Sequence, residues 1–238
     1  MSERGEPMVD TGDAVLLDIE GTVSPVAAVR NTLFGYARPR LADWLGRPDP
    51  RIGRIAEAVR SALHDPHADL DVVAAELARW SDADIKAEPL KALQGLIWQD
   101  GFATGVLTAT LYDDVPPLLR AWVRRGDRVY IFSSGSELAQ RLWFANTQFG
   151  DLSALISGHF DLSSAGPKND ARSYRVIAEA IGARPDRIGF LSDNVAELDA
   201  AAAAGMRAVG VSRMDEGCPD VGRHPRITRF TEIRVGRN

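Results

Sequence analysis

At 238 residues, with 45% hydrophobic and 26% charged residues, the chain has the size and composition to bury a sizeable core, as one domain or a domain with an insertion. A net charge of −5 argues against nucleic acid as the main partner, and no apolar run reaches the roughly 20 residues that a bilayer span needs. The single cysteine, Cys218, excludes an internal disulfide and fits a reducing cytoplasm.

Residues 1–13 are polar, carry Gly5, Pro7 and Gly12, and read as a disordered tail without the apolar stretch of a signal peptide. Ala14-Val15-Leu16-Leu17 then reads as a strand buried on both faces. At its end stand Asp18 and Glu20, two carboxylates at spacing two, followed by Gly21 and Thr22. From Pro25 the periodicity becomes helical: Val26, Val29, Leu33 and Phe34, then Leu41, Trp44 and Leu45, with Pro39 dividing the run. Ile52, Ile55, Val59 and Leu63 continue at the same spacing. His64 and His67 have metal-like spacing, but Pro66 between them reads as a solvated loop. Further helices are predicted over Val72–Trp80 and from Ile85 to about Thr108, and no strand pattern interrupts residues 26–110.

Asp113-Asp114-Val115-Pro116-Pro117 reads as an acidic helix start, and Gly126 as its stop. Val129-Tyr130-Ile131-Phe132 is a second buried strand ending in Ser133-Ser134-Gly135-Ser136, and a helix carrying Leu138, Leu142, Trp143 and Phe144 follows. After Phe160-Asp161 comes a loop to Lys168, at the start of a helix with Tyr174, Ile177, Ala178 and Ile181. Ile188–Leu191 is a strand ending at Ser192-Asp193-Asn194, an alanine-rich helix runs to Gly205, Ala208–Val211 is the next strand, and residues 226–228 are a last short one. Alternating apolar strands and helices mean a parallel sheet covered on both faces. The predicted fold is α/β: a doubly wound, Rossmann-like core from residues 14–25 and 110–238, with an all-helical cap inserted over 26–109.

Three strand ends thus present Asp18 and Glu20, Ser133 and Ser134, and Asp193 at one sheet edge, with Lys168 between the second and third. Only Lys86, Lys91 and Lys168 are lysines among 28 basic residues. Taken singly, the serines and Asp193 are plausible helix caps and Lys168 a surface residue. Together they are the inventory of phosphoryl transfer. Mg²⁺ prefers one or two carboxylates plus phosphate oxygens and water, which Asp18 and Asp193 supply, with the carbonyl or side chain of Glu20. Ser133, Ser134 and the helix start behind them suit the remaining phosphate oxygens. Lys168 neutralises charge, Asp18 attacks phosphorus, and Glu20 protonates the leaving oxygen and then activates water.

The Asp-x-Glu-Gly-Thr string resembles the first motif of the haloacid dehalogenase superfamily, most of whose members carry Asp where this chain has Glu20. Along nearly its whole length the chain resembles the enolase-phosphatases of methionine salvage (acireductone synthases). The resemblance rests on Asp18–Thr22, Leu93-Gln94-Gly95-Leu96-Ile97-Trp98, Tyr130–Ser136 with Ala139-Gln140, and Phe190–Asp193 with Glu197–Ala201. It implies a cytoplasmic, monomeric, Mg²⁺-dependent enzyme that enolises and then dephosphorylates a small phosphorylated diketone. It also implies metal positions at Asp18, Glu20 and Asp193 and substrate positions at Ser133, Ser134 and Lys168. The loop before Lys168 is one residue longer than the family pattern. The competing readings are a related phosphatase acting on another small phosphate ester without the enolase step, and a domain that binds metal and phosphate without turnover. The joint presence of Asp18, Glu20 and Asp193 opposes the last, because binding alone needs no acid/base carboxylate.

Overall fold

Strand β1 (Ala14–Leu17) is buried at every residue, as an apolar run without alternation requires. The computed structural model describes residues 12–233. The expected tail therefore lies mostly outside the described residues, but Gly12 and Asp13 do not belong to it. Gly12 bridges Ile188, and Asp13 donates its N–H to the Arg187 carbonyl (2.8 Å) and pairs its carboxylate with the Arg187 guanidinium (2.7 Å).

The described chain forms two compact units. One runs to Val26 and resumes at Ala109; the other is Ala27–Thr108. Among the described residues the second unit holds helices only. It opens with a broken run: α1 (Val26–Val29), a π-type turn (Arg30–Phe34), α2 (Gly35–Ala37), a 3-10 turn (Arg38–Arg40) and α3 (Leu41–Leu45). Pro39 sits in the first turn of the 3-10 piece, where its ring and missing N–H forbid α-helix across residues 35–39. The π turn, closed by the Gly35 N–H on the Arg30 carbonyl, has no signal in the sequence. Helix α4 (Pro50–Leu63) starts on an Asp49 cap, and His64 ends it in the left-handed conformation.

Helices α5 (Leu70–Asp82) and α6 (Glu88–Ala103) follow. The last is shorter at both ends than its periodicity predicts. Pro89 sits in its first turn, and Thr104 with Gly105 (φ +72°) stops it. The Leu93–Trp98 string turns inward: Leu93, Gln94, Gly95, Ile97 and Trp98 are buried, and Trp98 donates its indole N–H to the Leu33 carbonyl (2.7 Å).

The first unit resumes with α7 (Val115–Arg125), β2 (Arg128–Phe132), α8 (Glu137–Ala145), β3 (Gly158–Phe160), α9 (Ala171–Ile181), β4 (Ile188–Ser192), α10 (Val195–Ala203), β5 (Arg207–Val211) and β6 (Arg226–Ile227). The six strands are all parallel, in the order β3-β2-β1-β4-β5-β6. Strand β3 was not anticipated. It has three half-buried residues and lies at the sheet edge, too short for a periodicity to show. Successive strands run outward on one side of β1, and β4 restarts on its other side. The crevice beyond the carboxyl ends of β1 and β4 is therefore the switch point at which doubly wound sheets place ligands. Beneath it Tyr174 packs edge-on between Phe132 (5.5 Å) and Phe190 (5.0 Å). No helix among the described residues is long and apolar enough to cross a membrane.

Edge strand β3 carries a titration with a visible consequence. His159 packs beside Phe144, and burial, helped by the charge of Arg141, pushes its pKa down to about 4. The unfolded chain takes up this proton near pH 6.5, the folded chain only near 4. Stability is therefore full above 6.5 and is lost as pH falls between these values. His159→Gln should remove roughly 1–2 kcal/mol of that acid-side loss, allowing for solvent screening at the sheet edge. Thermal melts of both proteins from pH 7 to 4 check it: parallel curves would show that His159 is not the group concerned.

Candidate active site

Asp18 follows β1 directly and extends the ladder, its N–H donating to the Leu191 carbonyl of β4 (3.0 Å). The chain then turns on one acceptor. The N–H groups of Thr22, Val23 and Ser24 all donate to the Ile19 carbonyl, while the Gly21 N–H donates to the Ser24 carbonyl (2.8 Å). A side chain at Gly21 would be strained on two counts: the φ is +70°, and a Cβ there would lie 2.1 Å from Asp193 Oδ2. The Thr22 hydroxyl ties the two neighbouring strand ends together, donating to Asp18 Oδ2 (3.2 Å) and accepting the Asp193 N–H (3.1 Å). Ser24 closes the turn by accepting the Trp143 indole N–H (2.9 Å).

Lys168 lies in the loop ahead of α9, not in the helix, whose cap is Asp170. Its backbone is held from the helix side. The Tyr174 hydroxyl donates to the Lys168 carbonyl (2.8 Å), and the Ser173 hydroxyl to the Pro167 carbonyl (2.7 Å). From there its ammonium donates to Asp18 Oδ1 and to Glu197 Oε2 (2.7 Å). Asp193 is not a helix cap: Asn194 caps α10, leaving the Asp193 carboxylate to the crevice wall at Gly21. Ser136 likewise caps α8, so Ser133 and Ser134 are not needed for that role. They follow β2, the neighbour of β1. Ser133 is buried, its Oγ accepts the Gly135 N–H (3.2 Å), and Gln140 braces the turn by donating to the Gly135 and Phe160 carbonyls.

Glu20 is half-buried and bridges Ser24 through its backbone. Among the described residues no three acidic, imidazole or thiol side chains converge as a metal-holding group. Asp18 and Asp193 are linked through Thr22, close enough for the Asp18 charge to act on the Asp193 carboxyl.

The haloacid dehalogenase-like hydrolase family matches residues 13–205. Over 94% of its length the chain is 52% identical to a protein of Frankia alni and 51% identical to one of Nocardia farcinica, covering 96% and 97% of them. Both are named Enolase-phosphatase E1. The chain belongs to this family. In three dimensions it is similar to the crystal structure of the UTR4 protein of Saccharomyces cerevisiae, with a TM-score of 0.79 and 34% identity over 92% of this chain and 98% of that one. As an Enolase-phosphatase E1 family member the chain is an enzyme, a phosphatase of haloacid dehalogenase type.

The charge distribution of this family member has a clear direction. Burial opposes the Lys168 ammonium, but Asp18 and Glu197 outweigh it and hold its pKa above that of ordinary lysine. Burial, then the charges of Asp18 and Glu197, push the Asp193 carboxyl up to about 7. Burial and Asp18 likewise raise Glu197. Three crowded carboxylates against one ammonium leave surplus negative charge, which a divalent cation is suited to offset.

Glu197 is the site residue that sequence reasoning missed as such. It stands third after the Asn194 cap of α10, where a Glu ordinarily reads as half of a capping box. Instead it pairs with Lys168 and accepts the Ser192 hydroxyl (2.9 Å).

Proposed function

We propose that the chain is a cytoplasmic, monomeric, Mg²⁺-dependent enolase-phosphatase of methionine salvage. In this reading it converts 2,3-diketo-5-methylthiopentyl 1-phosphate to 1,2-dihydroxy-3-keto-5-methylthiopentene and phosphate. The observation that carries the reading is the Lys168–Asp18–Thr22–Asp193 cluster at the β1/β4 switch point of a chain in this family. Asp18 and Asp193, with the adjoining Glu20 carbonyl, would hold the ion; the close approach of the Asp193 carboxylate to Gly21 and the surplus of carboxylates fit it. When bound, Mg²⁺ supplies charge neutralisation for the phosphate.

The protein groups carry the steps. Lys168 and Thr22 hold the Asp18 carboxylate by both oxygens, so that it is fixed before substrate arrives. Ser133, Ser134 and the backbone N–H groups leading into α8 bind phosphate oxygens. An Asp18 oxygen forms a bond to phosphorus as the ester P–O bond breaks, and Glu20 gives its proton to the leaving oxygen. Glu20 then takes a proton from water, whose oxygen attacks phosphorus and returns Asp18 as carboxylate with release of phosphate. The single exposed thiol, Cys218, suits reducing surroundings.

Glu20→Gln tests the reading by separating the two reactions. It removes the acid but keeps the side-chain size and the backbone carbonyl. Phosphate release should slow by about 10²–10⁴-fold while the phosphorylated enol accumulates. Enol absorbance and free phosphate are followed together after mixing with the diketo phosphate. Equal loss of both signals would make Glu20 a participant in enolisation. Phosphate release from wild type without an enol signal would favour a phosphatase for another ester.

A further inference from the structure

Arg213 lies just beyond β5, buried to 4% exposure, and the steps above do not use it. Its Nε and Nη2 both donate to one acceptor, the Thr22 carbonyl (3.2 and 2.9 Å), and its Nη1 donates to Asp114 Oδ2 (2.6 Å). The rings of Tyr112 and Phe230 lie 4.2 and 4.7 Å from the guanidinium carbon. Asp114 Oδ2 also accepts the Phe230 N–H (2.8 Å), so the start of α7 spends its carboxylate on this assembly rather than on capping its own helix. One turn further on, Glu216 Oε1 accepts the Tyr112 hydroxyl (2.8 Å) and the Val26 N–H (3.0 Å).

We propose that Arg213 is a positioning residue for phosphoryl transfer, acting on the nucleophile through Thr22. A buried ion pair taken alone is a poor reason to keep an arginine here, since apolar residues of similar volume are often as stable. What a lysine or an apolar residue cannot do is grip one carbonyl with two N–H groups while a third donor holds a carboxylate. The N–H groups of residues 22–24 converge on the Ile19 carbonyl, and the Arg213 fork fixes the opposite side of the turn at the Thr22 carbonyl. Fixing that peptide plane sets the direction of the Thr22 side chain. The Thr22 hydroxyl is bonded both to the Asp18 carboxylate and to the backbone of Asp193. The inference rests on the functional reading above for its rate effect, but not for its structural effect.

Arg213→Lys is the test, because it keeps a cation for Asp114 and loses the fork. Its kcat for phosphate release should fall about 10–100-fold with KM within about threefold, the signature of a misplaced nucleophile. Amide deuterium exchange in a peptide spanning residues 18–26 should quicken about tenfold, with exchange in β2 and β5 unchanged. In a Thr22→Val background the same substitution should cost little further, because the two act through one contact. Wild-type kcat and exchange in a folded Arg213→Lys protein, or full additivity with Thr22→Val, would overturn the proposal. Should Arg213→Lys not fold, Asp114→Asn loosens the guanidinium without removing it and is expected to move kcat and exchange in the same direction; no movement overturns the proposal. If wild type does not act on the diketo phosphate, the functional reading fails, and the exchange measurement alone still decides the role of Arg213.

Discussion

Asp18→Asn is expected to leave a folded protein that releases phosphate on the order of 10⁴–10⁶-fold more slowly than wild type. The carboxamide is neutral and a poor nucleophile, so no bond to phosphorus forms from it. The fold should hold because the substitution preserves shape. Its oxygen still accepts the Thr22 hydroxyl, and the Lys168 ammonium keeps Glu197 as partner at 2.7 Å. Phosphate release and a thermal melt on the same sample check both halves. More than a few per cent of the wild-type rate would remove Asp18 from the nucleophile's role. A collapsed melt would show that its charge, rather than its reactivity, is what the core requires.

The second large effect is expected at Lys168. Lys168→Ala leaves the Asp18 and Glu197 carboxylates in a buried space without their shared cation, and should cost about 10²–10³-fold in kcat. Lys168→Arg should do nearly as badly. The ammonium is a compact point donor reaching two carboxylates from a loop whose backbone is pinned by Tyr174 and Ser173, and a planar guanidinium cannot occupy that place. Steady-state rates of the two variants beside wild type decide it. Full activity in the arginine variant would mean that positive charge alone suffices there.

Much of this site was legible because it lies at strand ends. Buried parallel strands are unbroken apolar runs, so Asp18, Ser133 and the Ser192-Asp193 pair stand out as the first polar residues after them. Topology then brings these positions to one edge without any long-range information. Rarity in an arginine-rich chain marked three lysines, and only Lys168 lies between the second and third of these strand ends. Glu197 was harder, since its position in the first turn of α10 has a sufficient local explanation. Only the fold, by bringing Lys168 beside it, reveals the second use. Arg213 and Asp114 were invisible for a related reason. Each looks like an ordinary loop or helix-start charge, and their pairing spans residues that meet only in the folded core. Strand β3 and the π turn lacked a pattern long enough to read, and the ends of α6 were set by Pro89 and Gly105 against an apolar periodicity that ran on past both.

The points at which the chain leaves and re-enters the sheet domain are stitched to each other by residues of that domain. Val26 and Tyr112 share one oxygen of Glu216, and the Tyr112 N–H donates to the Val23 carbonyl (3.0 Å). A segment whose two ends are already fastened side by side adds only the slow, logarithmic cost of a longer loop, whatever its length. Changes of length between these two residues therefore burden the sheet domain little, the turn after Asp18 being closed upstream at Ser24.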